Sequence, residues 1–174
     1  MRARTFWKTV VADHVDMLPR IVALLTDQGI RFCLIGGQGA NAYVEPVVSL
    51  DLDIVIAVEQ LPEVKKWLRR EFSVEEFSHS LNVSSPGSDL RIQIQTDPRY
   101  ASFIDRAQAH QVLGYDLPVA APHDILQGKI WAVQDPHRRT SKRQKDLADI
   151  ARLLEAFPDL RAQIPKDVQS LLME

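Results

Sequence analysis

Two aspartates, Asp51 and Asp53, stand at alternate positions in the segment SLDLDIVI that spans residues 49–56. The apolar residues around them predict a β-strand. Because strand side chains alternate between faces, both carboxylates should project from the same face. Two bare carboxylates placed side by side raise each other's pKa, whereas a hard divalent cation binds such oxygens together with substrate phosphates. The pattern therefore predicts a Mg²⁺ (or Mn²⁺) site at Asp51 and Asp53.

A glycine turn lies just upstream of these aspartates, in the segment IGGQGANAY at residues 35–43. This segment reads as the end of a strand, a turn at Gly36 and Gly37, and a brief helix. Glycines at a strand-to-helix turn expose backbone N–H groups at the start of the helix, where anions are favoured. We therefore expect a phosphate-binding site close to the two aspartates.

A dinucleotide-binding motif is an alternative interpretation of the same glycines. Residues 37–42 fit G-x-G-x-x-A, and Glu59 follows about twenty residues later, where a ribose-binding acid would stand. However, few residues separate Gly39 from Pro46, which is too short for the usual crossover helix, and no further strand-helix-strand units follow. This interpretation also leaves the paired aspartates unexplained.

The run IGGQGANAYVEPVVSLDLDIVIA, residues 35–57, resembles the signature of the nucleotidyltransferase superfamily, and in particular the small bacterial branch that contains abortive-infection toxins. The resemblance extends over about residues 31–154 and includes the segments VLGYDLPVAAPHDILQGKIWA and KRQKDLADIARLL. It implies that Gly36 and Gly37 hold a triphosphate. It also implies that Ser49, the hydroxyl residue before the carboxylates, binds the nucleotide and that Asp51 and Asp53 bind Mg²⁺.

The activity implied by this resemblance is transfer of a nucleoside monophosphate from a nucleoside triphosphate to a hydroxyl. The superfamily uses protein side chains, tRNA ends and small molecules as acceptors, and the sequence does not choose among them. The resemblance to abortive-infection proteins also raises a role in a toxin–antitoxin pair. The implied fold is an α/β nucleotidyltransferase fold, in which helices pack on a short mixed sheet and the C-terminal part is helical.

Two departures from the family pattern bear on activity. Active members commonly carry a third carboxylate on a later strand, and here the matching strand, LRIQIQ at residues 90–95, has Gln93 at that position. Glutamine brings no negative charge and cannot act as a base. Asp97 would lie on the same face of the strand as Gln93, but about 13 Å farther along it. Val47 stands where many relatives have an arginine. An alternative hypothesis is therefore a nucleotide-binding or partner-binding module with weak or no turnover.

Lys129 falls within the apolar stripe of a helix that begins near Pro122. A lysine is rarely buried without a partner, so its ammonium either reaches water along its stem or meets an acid or a phosphate. The family has a lysine at this position, which favours a catalytic or site-supporting role for Lys129. Asp146 and Asp149 on the next helix are the natural partners, and an ion pair that only fixes that helix is the structural alternative.

A basic segment, residues 137–145 (HRRTSKRQK), lies between these two helices. It is either a solvated face or a surface that contacts nucleotide phosphates or an RNA acceptor. The formal net charge of the chain is −2, so nothing global attracts it to nucleic acid. Cys33, its single cysteine, lies in an apolar strand and is expected to be a buried hydrophobe, which fits a cytoplasmic protein. No segment has the length and apolarity of a membrane span.

At 174 residues the chain is expected to form one domain, with a nucleotidyltransferase-like core over residues 30–97 and a mostly helical part over residues 98–174. Periodicity predicts helices over residues 5–28, interrupted at Pro19, over 62–72 and over 99–110, and further helices that begin at residues 122, 139 and 166. It also predicts strands on either side of the turn at residues 86–89 and a short strand pair within residues 112–119.

Overall fold

The computed structural model describes residues 12–172. The helices are α1 (Met17–Asp27), α2 (Gly36–Asn41), α3 (Leu61–Glu71), α4 (Pro122–Gln134), α5 (Thr140–Ala156) and α6 (Lys166–Leu172). The strands are β1 (Phe32–Ile35), β2 (Asp51–Ile56), β3 (Ser73–Glu76), β4 (Ser80–Ser84), β5 (Arg91–Gln95), β6 (Gln108–Val112) and β7 (Tyr115–Val119). Short 3₁₀ helices cover Val58–Gln60, Pro98–Arg106 and Pro158–Gln163.

The strands form one mixed sheet in the order β3-β4-β5-β2-β1-β7-β6. β2 lies at its centre, antiparallel to β1 and parallel to β5. The remaining pairs are antiparallel except for β1 with β7, which run parallel. A mixed sheet with helices packed on it confirms the predicted α/β class.

The central strands alternate between the core and the site. Leu52 and Ile54 of β2, like Ile92 and Ile94 of β5, are at most 2% exposed, while the residues between them point to the other face. Burying such side chains stabilises the sheet by roughly 2 kcal/mol each. One apolar cluster extends from Met17 to Val168 and joins the sheet to α4, α5 and α6. The core therefore fixes which residues β2 and β5 present opposite it.

Two sequence-based expectations need correction. Residues 98–106 form a 3₁₀ helix rather than an α-helix, with Tyr100 and Phe103 buried three positions apart, and the chain then enters strand β6 at Gln108. Pairing with β7 overrides the helical spacing of this segment. The first helix is not interrupted at Pro19, which stands in the first turn of α1, where its missing N–H would have no partner. The part of that prediction before residue 12 lies outside the described residues.

The predicted hairpin around the turn at residues 86–89 is confirmed. The helices that begin at residues 61, 122, 140 and 166 start within one residue of their predicted positions. Strand β3 was not predicted, because its exposed, charged sequence SVEE carries little alternation. Across residues 12–172, no helix combines the length and apolarity needed to span a bilayer.

Candidate active site

Asp51 and Asp53 lie on the same face of β2, as the strand alternation predicts, with Leu52 and Ile54 on the buried face. In the β1–β2 pair Asp53 stands opposite Ile35, the last residue before the glycine turn. In the parallel β2–β5 pair Asp51 is opposite Arg91 and Asp53 is opposite Gln93. The sheet register therefore brings the predicted turn, the two aspartates and Gln93 to one place.

The carboxylate of Asp53 packs against the backbone of Gly36. Gly36 has a φ of +66°, and a Cβ built on it would stand 2.1 Å from Oδ2 of Asp53. No other residue type fits this position without strain, because it combines the left-handed backbone region with a close approach. Glycine at position 36 therefore leaves the space that the carboxylate of Asp53 occupies.

Asp53 carries a perturbed pKa. Burial raises the pKa of Asp53 to about 6, the positive charge of Lys129 opposes that rise, and the negative charge of Asp51 adds to it. None of the described residues donates a hydrogen bond to its carboxylate. Burial destabilises the ionised form of a carboxylate that has no hydrogen-bond donor. A bound cation would therefore stabilise Asp53 more than it would the paired carboxylates of this site.

Asp51 is held quite differently. Its Oδ1 lies 2.7 Å from Nε of Arg91, and its Oδ2 accepts a 2.8 Å hydrogen bond from Nζ of Lys142 at the start of α5. Burial alone would raise the pKa of Asp51, but the hydrogen bond and charge of Lys142 and the charge of Arg91 outweigh it, so its pKa lies below the ordinary value. Asp51 is therefore an ionised carboxylate with a cation at each oxygen.

Lys129 of α4 is buried and paired, as its place in the apolar stripe predicts. Its Nζ lies 2.8 Å from Oδ1 of Asp146 and 2.7 Å from Oδ2 of Asp149, and its side chain is 10% exposed. Burial opposes the ammonium form, but the charges of Asp149 and Asp146 outweigh it, and the pKa of Lys129 is raised. Both proposed partners bind it at once, so the predicted ion pair exists and Lys129 is a permanent cation.

One face of α5 faces this site. Lys142, Asp146 and Asp149 follow each other at spacings of four and three residues, which places them in a row on the helix. Arg138, just before the helix, donates from Nε to Oδ2 of Asp146 over 2.9 Å. In the sequence, Arg138 and Lys142 stand out only as parts of the basic segment at residues 137–145. The helical spacing of Lys142 with the two aspartates was a signal that could have singled it out.

Ser49 stabilises the entry to β2. Its Oγ accepts a hydrogen bond from the backbone N–H of Asp51 over 3.2 Å, which makes a local turn. The buried Gln38 of α2 donates to the carbonyl oxygen of Ser49 over 3.0 Å. Within the described residues, the contacts of Ser49 are therefore structural, and its predicted role in nucleotide binding stays a prediction.

The loop before Ser49 is fixed by Asn41 and Arg152. Asn41 donates to the carbonyl oxygen of Val47 over 2.7 Å and accepts from its N–H over 3.0 Å. Arg152 of α5 donates to Oδ1 of Asn41 over 2.8 Å and to the carbonyl oxygen of Glu45 over 2.7 Å. Val47, at the position where the family resemblance implies an arginine, is 55% exposed. The guanidinium of Arg152 on α5 contacts the same loop instead.

Gly36 and Gly37 differ in what they can tolerate, and this difference is testable. A Cβ on Gly37 would lie 3.7 Å from Oδ2 of Asp149 and 4.0 Å from Oγ of Ser49, both ordinary contacts. We expect Gly36→Ala to lower the free energy of unfolding by about 1 to 3 kcal/mol because of its strained backbone. Gly37→Ala should change it by less than about 1 kcal/mol, and it should weaken triphosphate binding if phosphate approaches this backbone.

Urea unfolding and triphosphate titration of the two variants measure both effects. Equal stability losses at Gly36 and Gly37 would contradict the different packing of the two positions. A Gly37→Ala variant that binds triphosphate as tightly as the wild type would contradict the assignment of Gly37 to the phosphate site.

A cavity of about 90 Å³ opens beside Asp53. Gly36, Gln93, Lys129 and Arg138 contribute to its lining, and Asp51 does not. A second cavity of about 590 Å³ shares some of this lining and extends along β5, as far as His79, Arg99, Trp131 and His137. The small cavity holds little more than solvent, whereas the larger one has the size of a small-molecule site.

Gln93 lies beside Asp53, at the position where the family resemblance implies a third carboxylate. Asp97 does not substitute for it. Asp97 caps the 3₁₀ helix that follows β5, where its carboxylate accepts from the backbone N–H of Arg99 over 2.9 Å, and it lines the larger cavity only. In the β2–β5 register Gln93 is the residue opposite Asp53, and its equivalence to the family's third carboxylate stays a prediction.

The fit of a divalent cation to this site depends on the ligand count. Over residues 12–172, no cluster of three or more His, Cys, Asp or Glu side chains is arranged to hold a metal ion. Mg²⁺ is nevertheless often bound by one or two carboxylates together with substrate phosphates. Asp51 and Asp53 fit a cation that arrives with a triphosphate better than one held by the protein alone.

No protein-family model matches the chain, and a search of curated proteins finds no match. Solved structures do match. The solution structure of the antibiotic-resistance factor ANT(2'')-Ia is 14% identical with a TM-score of 0.60, and the match covers 88% of this chain and 92% of that one. The lincosamide antibiotic adenylyltransferase LnuA, solved with lincomycin bound, is 13% identical with a TM-score of 0.55, over 78% of this chain and 95% of that one.

A third similar structure is an antigenic nucleotidyltransferase-like protein from Paracoccidioides brasiliensis, which is 17% identical with a TM-score of 0.53. That match covers 86% of this chain and 75% of the other. At such identities the similarity establishes the architecture and leaves the substrates open. Together with the sheet order and the position of the paired aspartates, it establishes that the chain has the nucleotidyltransferase fold.

Proposed function

We propose that this protein transfers a nucleoside monophosphate from a metal-bound nucleoside triphosphate to a hydroxyl acceptor, with release of pyrophosphate. One observation carries the proposal. In a nucleotidyltransferase fold, the desolvated carboxylate of Asp53 lies against the turn at Gly36, with Asp51 on the same strand face and Lys129 in the same cavity. This arrangement supports the proposal, because a buried carboxylate and the fixed cations Lys129 and Arg138 line one small cavity and a second carboxylate lies two residues away on the same strand face.

The residues of the chain divide the work. Asp51 and Asp53 would hold a divalent cation, which when bound neutralises phosphate charge and polarises the reacting phosphoryl group. Gly37, where an added Cβ would meet nothing closer than 3.7 Å, leaves space at the turn for phosphate oxygens, whereas the space beside Gly36 is filled by Asp53. Lys129 is kept charged by Asp146 and Asp149, so it adds a fixed positive potential where negative charge develops during transfer.

The larger cavity along β5 is the natural place for the rest of the substrates. Its volume of about 590 Å³ lies in the range of small-molecule sites, and it shares lining residues such as Gln93 and Arg138 with the cavity of Asp53. Protein side chains, tRNA ends and small molecules remain the candidate acceptors. ANT(2'')-Ia, an antibiotic-resistance factor, and LnuA, a lincosamide antibiotic adenylyltransferase, add weight to the small-molecule class.

Transfer of label from a triphosphate tests the proposal. Purified protein is incubated with each α-labelled nucleoside triphosphate, Mg²⁺ or Mn²⁺, and fractions of host lysate separated into protein, RNA and small molecules. We expect label in one fraction, and a rate lower by about a hundredfold or more for Asp53→Asn. Lys66→Gln, a change at an exposed ion pair on α3, is the matched control and should leave the rate unchanged.

The alternative hypothesis is nucleotide binding with weak or no turnover, and Gln93 is the observation behind it. The structural neighbours do not favour this alternative. Label that binds the protein in a metal-dependent way, without transfer to any fraction, would support it. Absence of both binding and transfer would overturn the proposed function.

A further inference from the structure

Lys142 occupies an unusual position for a residue beside a carboxylate that is expected to bind metal. Its Nζ lies 2.8 Å from Oδ2 of Asp51, while Arg91 takes Oδ1 of the same carboxylate. A divalent cation that approaches Asp51 must therefore compete with an ammonium group already in place. Electrostatic competition of this kind weakens the binding of the metal alone.

The pair between Lys142 and Asp51 can break without loss of the surrounding structure. The side chain of Lys142 is 31% exposed and sits in the first turn of α5, on a flexible stem. The rest of α5 is anchored by the deeper contacts of Asp146 and Asp149 with Lys129. Release of Lys142 therefore leaves the helix in position.

Charge at the site favours such a release only when phosphate arrives with the metal. The carboxylates are Asp51, Asp53, Asp146 and Asp149, and the cations are Arg91, Lys129, Arg138, Lys142 and Arg152. The cations outnumber the carboxylates, so a metal ion alone adds charge of the sign already in excess. A metal–triphosphate complex is anionic, and it offers oxygens to the displaced ammonium.

We propose that Lys142 is an exchangeable counter-ion, which holds Asp51 in the free protein and moves to the phosphates of a metal-bound triphosphate. The inference rests on the proposed function and adds to it a binding order. Metal and triphosphate bind together, and metal alone is disfavoured. Lys142 is in this sense a specificity-determining residue that selects the metal–triphosphate complex over the free ion.

Manganese binding to the protein tests the inference without any turnover. Free Mn²⁺ is measured by electron paramagnetic resonance during titration of the wild type and Lys142→Gln, first with MnCl₂ alone and then with Mn²⁺ and inorganic triphosphate. We expect Lys142→Gln to bind Mn²⁺ alone about fivefold more tightly, because the ion pair of Lys142 with Asp51 no longer competes with the metal. The effect is modest because this ion pair is partly exposed to solvent. It should bind the Mn²⁺–triphosphate complex about fivefold more weakly.

Two variants serve as controls. Lys142→Arg keeps the positive charge and should keep the weak binding of Mn²⁺ alone. Lys145→Gln removes an exposed lysine from the next turn of the same helix and should change neither affinity. Equal Mn²⁺ affinity of the wild type and Lys142→Gln, or tighter binding of both ligands by the variant, would overturn the inference. Neither result affects the label-transfer test, which decides the proposed function separately.

Discussion

Replacement of Lys129 by methionine is expected to lower the free energy of unfolding by about 3 kcal/mol, a large share of the total for a domain of this size. The substitution keeps the apolar stem but removes the ammonium from between Asp146 and Asp149, whose side chains are 2% and 14% exposed. Arg138 and Arg152 remain on the outer oxygens of these carboxylates, which limits the loss. Urea unfolding at neutral pH measures it.

Two further variants separate this effect from loss of any lysine or any contact. Lys66→Met removes a lysine from an exposed pair with Glu63 and should cost less than about 1 kcal/mol. Adding Asp146→Asn to Lys129→Met should recover part of the loss, because one of the uncompensated charges disappears. A loss of similar size in Lys66→Met and Lys129→Met would contradict the buried network of Lys129 with Asp146 and Asp149.

Strand alternation and helix periodicity made the centre of the site predictable from the sequence. The spacing of Asp51 and Asp53 fixes their common face, and the apolar stripe around Lys129 forces a buried ammonium that needs acids. Both are local patterns with a period of 2 or 3.6 residues. Such patterns survive folding when the apolar face they define becomes core, as it does for β2 and α4.

The cations on Asp51 were not predictable in the same way. Arg91 reaches Asp51 through the parallel register of β2 and β5, and Lys142 reaches it from a helix 91 positions later in the chain. No local pattern encodes a contact of that separation. In the sequence only the density of the basic segment stands out. Density does not distinguish solvated charges from Lys142 and Arg138, which lie against carboxylates in the fold.

The segment after Asp97 shows how tertiary pairing decides between two local patterns. Its apolar residues fit a 3₁₀ helix as well as an α-helix over one turn, because Tyr100 and Phe103 are three positions apart. From Gln108 the backbone pairs with β7, which supplies hydrogen bonds that an isolated helix would have to provide itself. The larger cavity borders this segment, so its position could not be predicted from local sequence patterns without the strand order of the sheet.

Replacement of Asp53 by asparagine is expected to stabilise the free protein above pH 6 while it abolishes metal-dependent transfer. The pKa of Asp53 is raised to about 6 by burial, from an ordinary value near 3.8. The fold therefore favours the protonated carboxyl, and ionisation between about pH 4 and pH 6 costs stability that stays lost at higher pH. Asparagine removes this cost, so at pH 7.5 Asp53→Asn should be more stable by about 1 to 3 kcal/mol.

Asp51→Asn is the matched control, and its effect should have the opposite sign. The pKa of Asp51 is lowered, so its ionised form contributes stability that is present above the unfolded pKa and disappears as pH falls through the folded one. Its loss also leaves Arg91 and Lys142 without their partner. We expect about 1 kcal/mol of destabilisation at pH 7.5, and the difference should shrink as pH falls below the unfolded pKa.

Unfolding of the wild type and both variants from pH 3 to pH 8, without metal or nucleotide, makes the comparison. The gap between Asp53→Asn and the wild type should close as pH falls to 4, because both side chains are then uncharged. If Asp53→Asn is no more stable than the wild type at pH 7.5, burial does not destabilise the ionised form of Asp53, and this prediction is wrong. Opposite stability changes with a shared loss of transfer would instead mean that Asp53 is retained for chemistry, at a cost to the fold.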